Sequence, residues 1–171
     1  MKRILITTVA LAMIAAAALA HEGGSGRGNE GYGDAIVASN GTIFITSSTI
    51  DTGTRTSTTT IKAISTSGAV MWTATLTNAG RLELSGSNLI ATNSTSASDG
   101  TVSTTLTAIS TSSGSVAWTR TLNGRVTSLE PFSAGTYAIV VVPATTSGGS
   151  ATRSLVAIGN DGSVLWTVSL T

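Results

Sequence analysis

The chain has 171 residues, nine Lys or Arg against eight Asp or Glu, and only 10% charged residues, which suits one domain with a nearly neutral surface. It has no cysteine, which excludes disulfides, thiolate metal sites and cysteine nucleophiles together. Near-neutrality also removes the basic surplus on which nucleic-acid binding depends.

The first predicted element is an export signal over 1–20. Lys2 and Arg3 precede an apolar run over 4–18, and Ala18-Leu19-Ala20 forms a small-x-small cleavage pattern before His21. An apolar run of roughly 17 residues ending in that pattern suits export better than spanning. No cysteine follows it to carry a lipid, and no later stretch is long and apolar enough to cross a bilayer. The mature chain is expected to be secreted, whether periplasmic, extracellular or at the cell surface. Lys2 and Arg3 would leave with the signal, so seven basic residues would face eight acidic ones. A Gly-rich segment, 21–33, reads as a flexible linker.

From residue 34 the chain reads as strands and turns in three blocks, about 34–77, 80–122 and 124–171. Each block opens on a short apolar strand (35–39, 82–85, 126–129), followed by a turn at Asn40-Gly41, Gly86 or Ala134-Gly135. A longer strand follows (42–48, 88–93, 136–142). The loops over 51–57, 94–101 and 145–152 absorb the length differences between blocks. The third strand (58–65, 104–110, 153–158) ends in Ala-Ile. A tight turn at Ser67-Gly68, Ser113-Gly114 or Asp161-Gly162 leads into the fourth strand (70–76, 116–122, 164–170). About a third of the chain is Ser or Thr, a composition usual in disordered segments, but the alternating Ile, Val, Leu and Trp oppose that reading.

One segment is written three times: AISTSGAVMWTATL (63–76), AISTSSGSVAWTRTL (108–122) and AIGNDGSVLWTVSL (157–170). The only tryptophans, Trp72, Trp118 and Trp166, lie 46 and 48 residues apart at matching places. Four antiparallel strands per repeat of this length make a β-propeller blade, so the predicted fold is all-β, a partial propeller of three four-stranded blades. A β-sandwich is the alternative.

The repeat resembles the blade motif of quinoprotein (pyrroloquinoline-quinone-type) propellers, Ala-x-Asp-x-x-Thr-Gly-x-x-x-Trp. Ala108, Ser110, Ser113, Gly114 and Trp118 fall on those positions in register. The first block (Ala63, Gly68, Trp72) and the third (Ala157, Gly162, Trp166) are one residue shorter in the turn. The resemblance covers 34–171 and implies that each tryptophan packs against the neighbouring blade. Ser or Gly replaces the motif's Asp and Thr, which predicts weaker side-chain bonding in the turn. The family's cofactor is not expected, because the loop insertions and paired cysteines that hold it are missing. Non-enzymatic members include the periplasmic scaffold lipoprotein of outer-membrane protein assembly, which binds peptides at blade edges and loops.

Residue types suited to catalysis are sparse, and the chain is expected not to be an enzyme. His21 is the only histidine, so no Ser-His-Asp set can form, and a copper-binding N-terminal histidine would lack its second imidazole. Of the acids, Glu83 and Glu130 sit in or near first strands but at different offsets in their blocks, and read as solvated. Arg81 and Arg125 each follow a glycine as the chain enters a first strand, which makes them weak candidates for an anion or carboxylate site. The rival reading, and the favoured one, is an arginine bonding carbonyls of the next blade. Asp51, Asp99 and Asp161 precede glycines in turn patterns without the spacing of a calcium loop. Asn40 and Asn93 open N-x-Thr/Ser glycosylation strings.

Three blades subtend too small a rotation to close a ring, since closed propellers have four to eight. Completion by a second chain, a continuing array, or membership in a longer gene product each resolve this. The expected function is a secreted, non-catalytic propeller-repeat scaffold or binding module that associates with itself or another protein. A self-assembling surface or filament protein, and a fragment of a larger quinoprotein-like propeller, are the alternatives.

Overall fold

The computed structural model describes residues 35–146 and 148–170. The expected signal and linker, with His21, Glu22, Glu30 and Asp34, lie outside the described residues. Twelve strands follow in order: β1 (Ala35–Val37), β2 (Ile43–Asp51), β3 (Thr56–Ile64), β4 (Val70–Thr77), β5 (Leu82–Ser85), β6 (Asn88–Ser96), β7 (Val102–Ser110), β8 (Val116–Asn123), β9 (Arg125–Phe132), β10 (Gly135–Val142), β11 (Thr152–Gly159) and β12 (Val164–Ser169). They form three antiparallel four-stranded sheets, β1-β2-β3-β4, β5-β6-β7-β8 and β9-β10-β11-β12, each a meander with boundaries at the repeat boundaries. This is a three-bladed partial propeller. A sandwich would merge the three blocks into two sheets.

Strand alternation gives each blade a front and a back. The front of blade one carries the row Ile36, Phe44, Ala63, Trp72, linked by register across all four strands. Matching rows are Glu83, Ile90, Ala108, Trp118 in blade two and Glu130, Tyr137, Ala157, Trp166 in blade three. The backs carry Val37, Ile43, Ile64, then Leu84, Leu89, Ile109, then Pro131, Thr136, Ile158. The front of each blade packs on the back of the next. Phe44, Ile61 and Ala63 meet Leu89 and Ile109 in one buried layer, and Ile90, Leu106, Ala108 and Leu122 meet Leu129, Ala138 and Ile158 in the other. The core is therefore two inter-blade layers.

A bulge recurs at one place in every blade. Register shifts between Ala63 and Ile64, Ala108 and Ile109, and Ala157 and Ile158, leaving Met71, Ala117 and Leu165 as the extra residues on the outermost strand. The repeated Ala-Ile is thus the point where the fourth strand bends out of the hairpin turn and twists along its neighbour.

The β2–β3 and β6–β7 hairpins run further than their Ser/Thr-rich sequences predict. Strand β2 continues to Asp51, and β6 reaches Ser96, where loops were expected from 51 and 94. Hydroxyls across the ladder account for this, with Ser48 bonding Thr59 (2.9 Å), Ser94 bonding Thr104 (2.8 Å) and Thr95 bonding Ser103 (3.0 Å). Such cross-strand pairs stabilise a sheet that presents little apolar surface.

Thr104 ties blade two to blade three. Its side chain is fully buried, donates to the Gly124 carbonyl at 2.8 Å and accepts from the Val126 amide at 3.1 Å. Thr104→Val keeps the shape but leaves both backbone groups unpaired, so a loss of about 1–3 kcal/mol is expected in urea unfolding. A loss within about 0.5 kcal/mol would show that this bond does not hold the junction.

Candidate functional site

The best-built feature is the contact between each fourth-strand tryptophan and the next blade's hairpin turn. Trp72 is half-buried, and its indole N–H donates to the Thr111 carbonyl at 2.9 Å. Trp118 donates likewise to the Asn160 carbonyl at 2.8 Å. Both rings lie over a glycine. A Cβ on Gly114 would come within 2.6 Å of the Trp72 ring, and one on Gly162 within 2.7 Å of Trp118. Gly162 also has φ +81°, in the left-handed region that favours glycine. The repeated glycine therefore both makes the turn and leaves room for a neighbour's indole.

Around Trp118 the junction carries further polar bonds. Arg120, on the same face two residues on, donates from Nε to the Gly162 carbonyl at 2.8 Å. Ser85 is buried and donates to the Gly135 carbonyl at 2.7 Å, and Asn88 donates to the Asn160 carbonyl at 3.3 Å. Among the described residues no buried side-chain nitrogen or oxygen lacks a partner.

The turns are bonded by side chains despite their departure from the family motif. Ser65 pairs with Ser67 at 2.8 Å, Ser110 with Ser112 at 2.9 Å and Ser113 with Ser115 at 2.7 Å. In blade three Asp161 accepts from the Ser163 hydroxyl at 2.6 Å and its amide at 2.9 Å. Short hydroxyl side chains thus bond within these turns at or beside positions where the motif carries Asp and Thr. The Ser163 hydroxyl, then its amide, hold the Asp161 carboxyl below its ordinary range, with Arg120 adding the smallest share against slight desolvation. Asp99 is lowered first by the Thr101 hydroxyl, and Asp51 first by the Gly53 amide. All three act as turn caps. Among the described residues no group of three His, Cys, Asp or Glu side chains is placed to hold a metal ion.

The weak anion candidates lie apart in register. Arg81 sits beside Thr92, just before β5, and pairs with Glu83 at 3.5 Å from an exposed position. Arg125 opens β9 opposite Val141 and is exposed. Counted from Glu83 and Glu130, the counterpart of Arg81 is Ser128, not Arg125, which lies beyond a shift that skips Thr127; Ser128 bonds Glu130 at 3.3 Å as Arg81 bonds Glu83. Glu83 and Glu130 are conversely equivalent, opposite Ile90 and Tyr137, although their sequence offsets differ. The arginine that bonds a neighbouring blade's carbonyl is Arg120, which sequence reasoning missed. Its position in the tryptophan's own i, i+2 face was the available signal. Asn40 accepts from the Thr42 amide at 3.0 Å in its turn, and Asn93 lies half-buried opposite Thr105.

Residues 57–171, about two thirds of the chain, match the family model described as outer membrane protein assembly factor BamB, a PQQ-like propeller repeat. The chain belongs to this family. The match begins within β3 and runs through blades two and three, so it includes all three tryptophans and both filled junctions of the BamB-type repeat. Comparison with curated proteins finds none that matches.

The outermost strands β4, β8 and β12 each pair on one side only among the described residues. Strands β4 and β12 contain no charged residue, and β8 contains only Arg120. Between blades two and three, Thr101, Val102, Asn123, Val142, Pro143 and Thr145 line a cleft of ≈ 380 Å³.

A double-mutant cycle tests the tryptophan lock. Trp118→Ala is expected to cost about 3 kcal/mol in urea unfolding, and Gly162→Ala about 2 kcal/mol from ring displacement and backbone strain. In the double variant the glycine change retains only its backbone share, about 1 kcal/mol, giving a coupling of about 1 kcal/mol. Strict additivity would mean that the two residues do not touch.

The Asp161 carboxyl, followed by carbon NMR, is expected to titrate below the ordinary 3.8. A carboxyl lowered by folding stabilises the folded state above its unfolded pKa, and this contribution is lost as pH falls through the folded value. The loss therefore lies below about pH 4. Ser163→Ala should move the midpoint upward; an unmoved midpoint would remove the hydroxyl as the main cause.

Proposed function

We propose that this chain is an exported, non-catalytic propeller-repeat scaffold that binds extended protein segments along the exposed edges of its blades. The observation that carries this reading is how little charge those edges hold, Arg120 on β8 being the single charged residue of the three strands. Proteins ordinarily blunt an exposed strand edge with charges, proline or bulges, because its unpaired amides and carbonyls recruit another strand. Here the bulges at Met71, Ala117 and Leu165 protect only the start of each edge strand. Beyond them β4 continues Thr-Ala-Thr-Leu-Thr and β12 continues Thr-Val-Ser, sequences well suited to pairing. An added strand would gain main-chain hydrogen bonds with little side-chain selectivity, which suits a scaffold handling many sequences.

Two further observations support the reading. The polar side chains best placed for chemistry are engaged in structure, Asp51, Asp99 and Asp161 in turns and Arg120 at a blade junction. The matching family is described as an outer membrane protein assembly factor. The basic, apolar, small-x-small beginning of the chain is consistent with export.

A short acetylated peptide of alternating Val and Thr, with terminal lysines for solubility, probes this directly. Binding should slow amide exchange in β4 and β12, and N-methylation of alternate peptide residues should abolish it. Unchanged edge amides at high peptide concentration, or equal binding of the N-methylated peptide, would defeat the proposal.

A further inference from the structure

Among the described residues, both halves of the tryptophan lock recur unfilled, one on blade three and one on blade one. In the two internal junctions an indole covers a turn glycine and donates to the carbonyl two or three residues before it, from Trp72 to Gly114 and Thr111 and from Trp118 to Gly162 and Asn160. Trp166 occupies the same row position in blade three but is 42% exposed. Gly68 occupies the same turn position in blade one, with φ +82° against +81° at Gly162, and a Cβ there would meet nothing within 4 Å. The described residues thus display a lock's donor on the front of blade three and its acceptor on the back of blade one.

The surrounding faces agree. The back-row centres are fully buried where a blade covers them, as at Leu89, Ile109, Thr136 and Ile158. Their counterparts Ile43 and Ile64 in blade one are partly exposed, and Val37 is 47% exposed. On the front of blade three, Phe132 stacks on Tyr137 at 4.2 Å and Tyr137 tilts against Trp166 at 5.6 Å. Val168, on the same face of β12, is 51% exposed. Glu130 lies on this face on the innermost strand, and the aromatic and apolar surface beside it is characteristic of an interaction surface.

We propose that the front of blade three docks on the back of blade one of a second copy, with Trp166 over Gly68 and its indole N–H on the Thr66 carbonyl. Thr66 precedes Gly68 as Asn160 precedes Gly162. The occupant is a second copy because the interface continues the one that already joins the blades, and this chain carries both complementary faces. Two copies joined at both junctions make six blades, within the range of about four to eight in which propellers close; three copies would make nine. A two-fold axis then relates the junctions, so every lock is satisfied. The outer edges β4, β8 and β12 stay open, so this contact and strand binding at the edges stand or fall separately.

Sedimentation velocity on the full chain tests the proposal. The wild type should be a dimer, and Trp166→Ala or Ile43→Arg should each weaken association about tenfold or more. Mixing the two variants should restore a pair through one junction, because the first keeps an intact blade-one back and the second an intact blade-three front. Gly68→Ala supplies a second back-face variant should Ile43→Arg not fold; its methyl meets nothing among the described residues but would strike a docked indole. A folded wild type that stays monomeric overturns the proposal, as does a dimer indifferent to these variants or a ladder of higher masses.

Discussion

The fold depends on how one indole reaches across to a neighbouring blade. A four-stranded blade exposes two sheet faces and cannot bury both by itself, so its stability comes from stacking. The outermost strand lies farthest from the other blades' strands, and only a large side chain bridges that distance. Tryptophan supplies the area, but its N–H requires an acceptor once covered. The next blade's turn supplies that acceptor at Thr111 or Asn160, and its glycine clears the space for the ring. Trp, Gly and a turn carbonyl are therefore one unit divided between two repeats, and for this reason they recur together in the sequence.

The two filled junctions share this unit but differ around it. Blade one meets blade two through an apolar layer of Phe44, Ile61, Ala63, Leu89 and Ile109, with Phe44 tilted against Trp72 at 5.7 Å. Blades two and three add Ser85, Asn88, Thr104 and Arg120, each donating to a backbone carbonyl of blade three or its entry. Those carbonyls lie at turns and strand ends, where the ladder leaves them unpaired, so the bonds satisfy groups that burial would otherwise leave costly. Side-chain donors thus fix the angle between blades two and three, whereas packing alone carries more of the first junction.

Much of this was legible in the sequence, because its strongest signals act over short distances. Trp72, Trp118 and Trp166, the turn glycines and the alternating strands place every sheet and its order. Register was less accessible. Arg81 and Arg125 follow glycines at similar places, yet Glu83 stands two residues after Arg81 and its equivalent Glu130 five after Arg125, a difference to which the skipped Thr127 contributes one residue. A bulge is a two-strand event, and neither strand's sequence declares it alone. The Ser/Thr runs beyond Ser48 and Asn93 read as loops because hydroxyl pairs across a hairpin, such as Ser48 with Thr59, leave no hydrophobic period. Arg120 escaped notice because its partner, the Gly162 carbonyl, lies 42 residues away in another blade.

The composition follows from the same geometry. The outer strands are free of lysine and glutamate, and hydroxyls supply much of their polar surface. They solvate the exposed faces and also bond across the ladder, which charged side chains at that density would disrupt by repulsion. The position that is Ala38 in blade one and Ser85 in blade two is Phe132 in blade three, directly before the turn into the second strand in each case. Ser85 bonds the next blade's backbone at Gly135, whereas Phe132 stacks on Tyr137. A face with a buried hydroxyl is committed to one covalently fixed neighbour, because an unmet donor is costly when covered. An aromatic face carries no such obligation and tolerates water when uncovered, particularly with a tyrosine hydroxyl among its rings. Blade three's front therefore combines the internal lock's geometry with side chains suited to a contact that can form and separate.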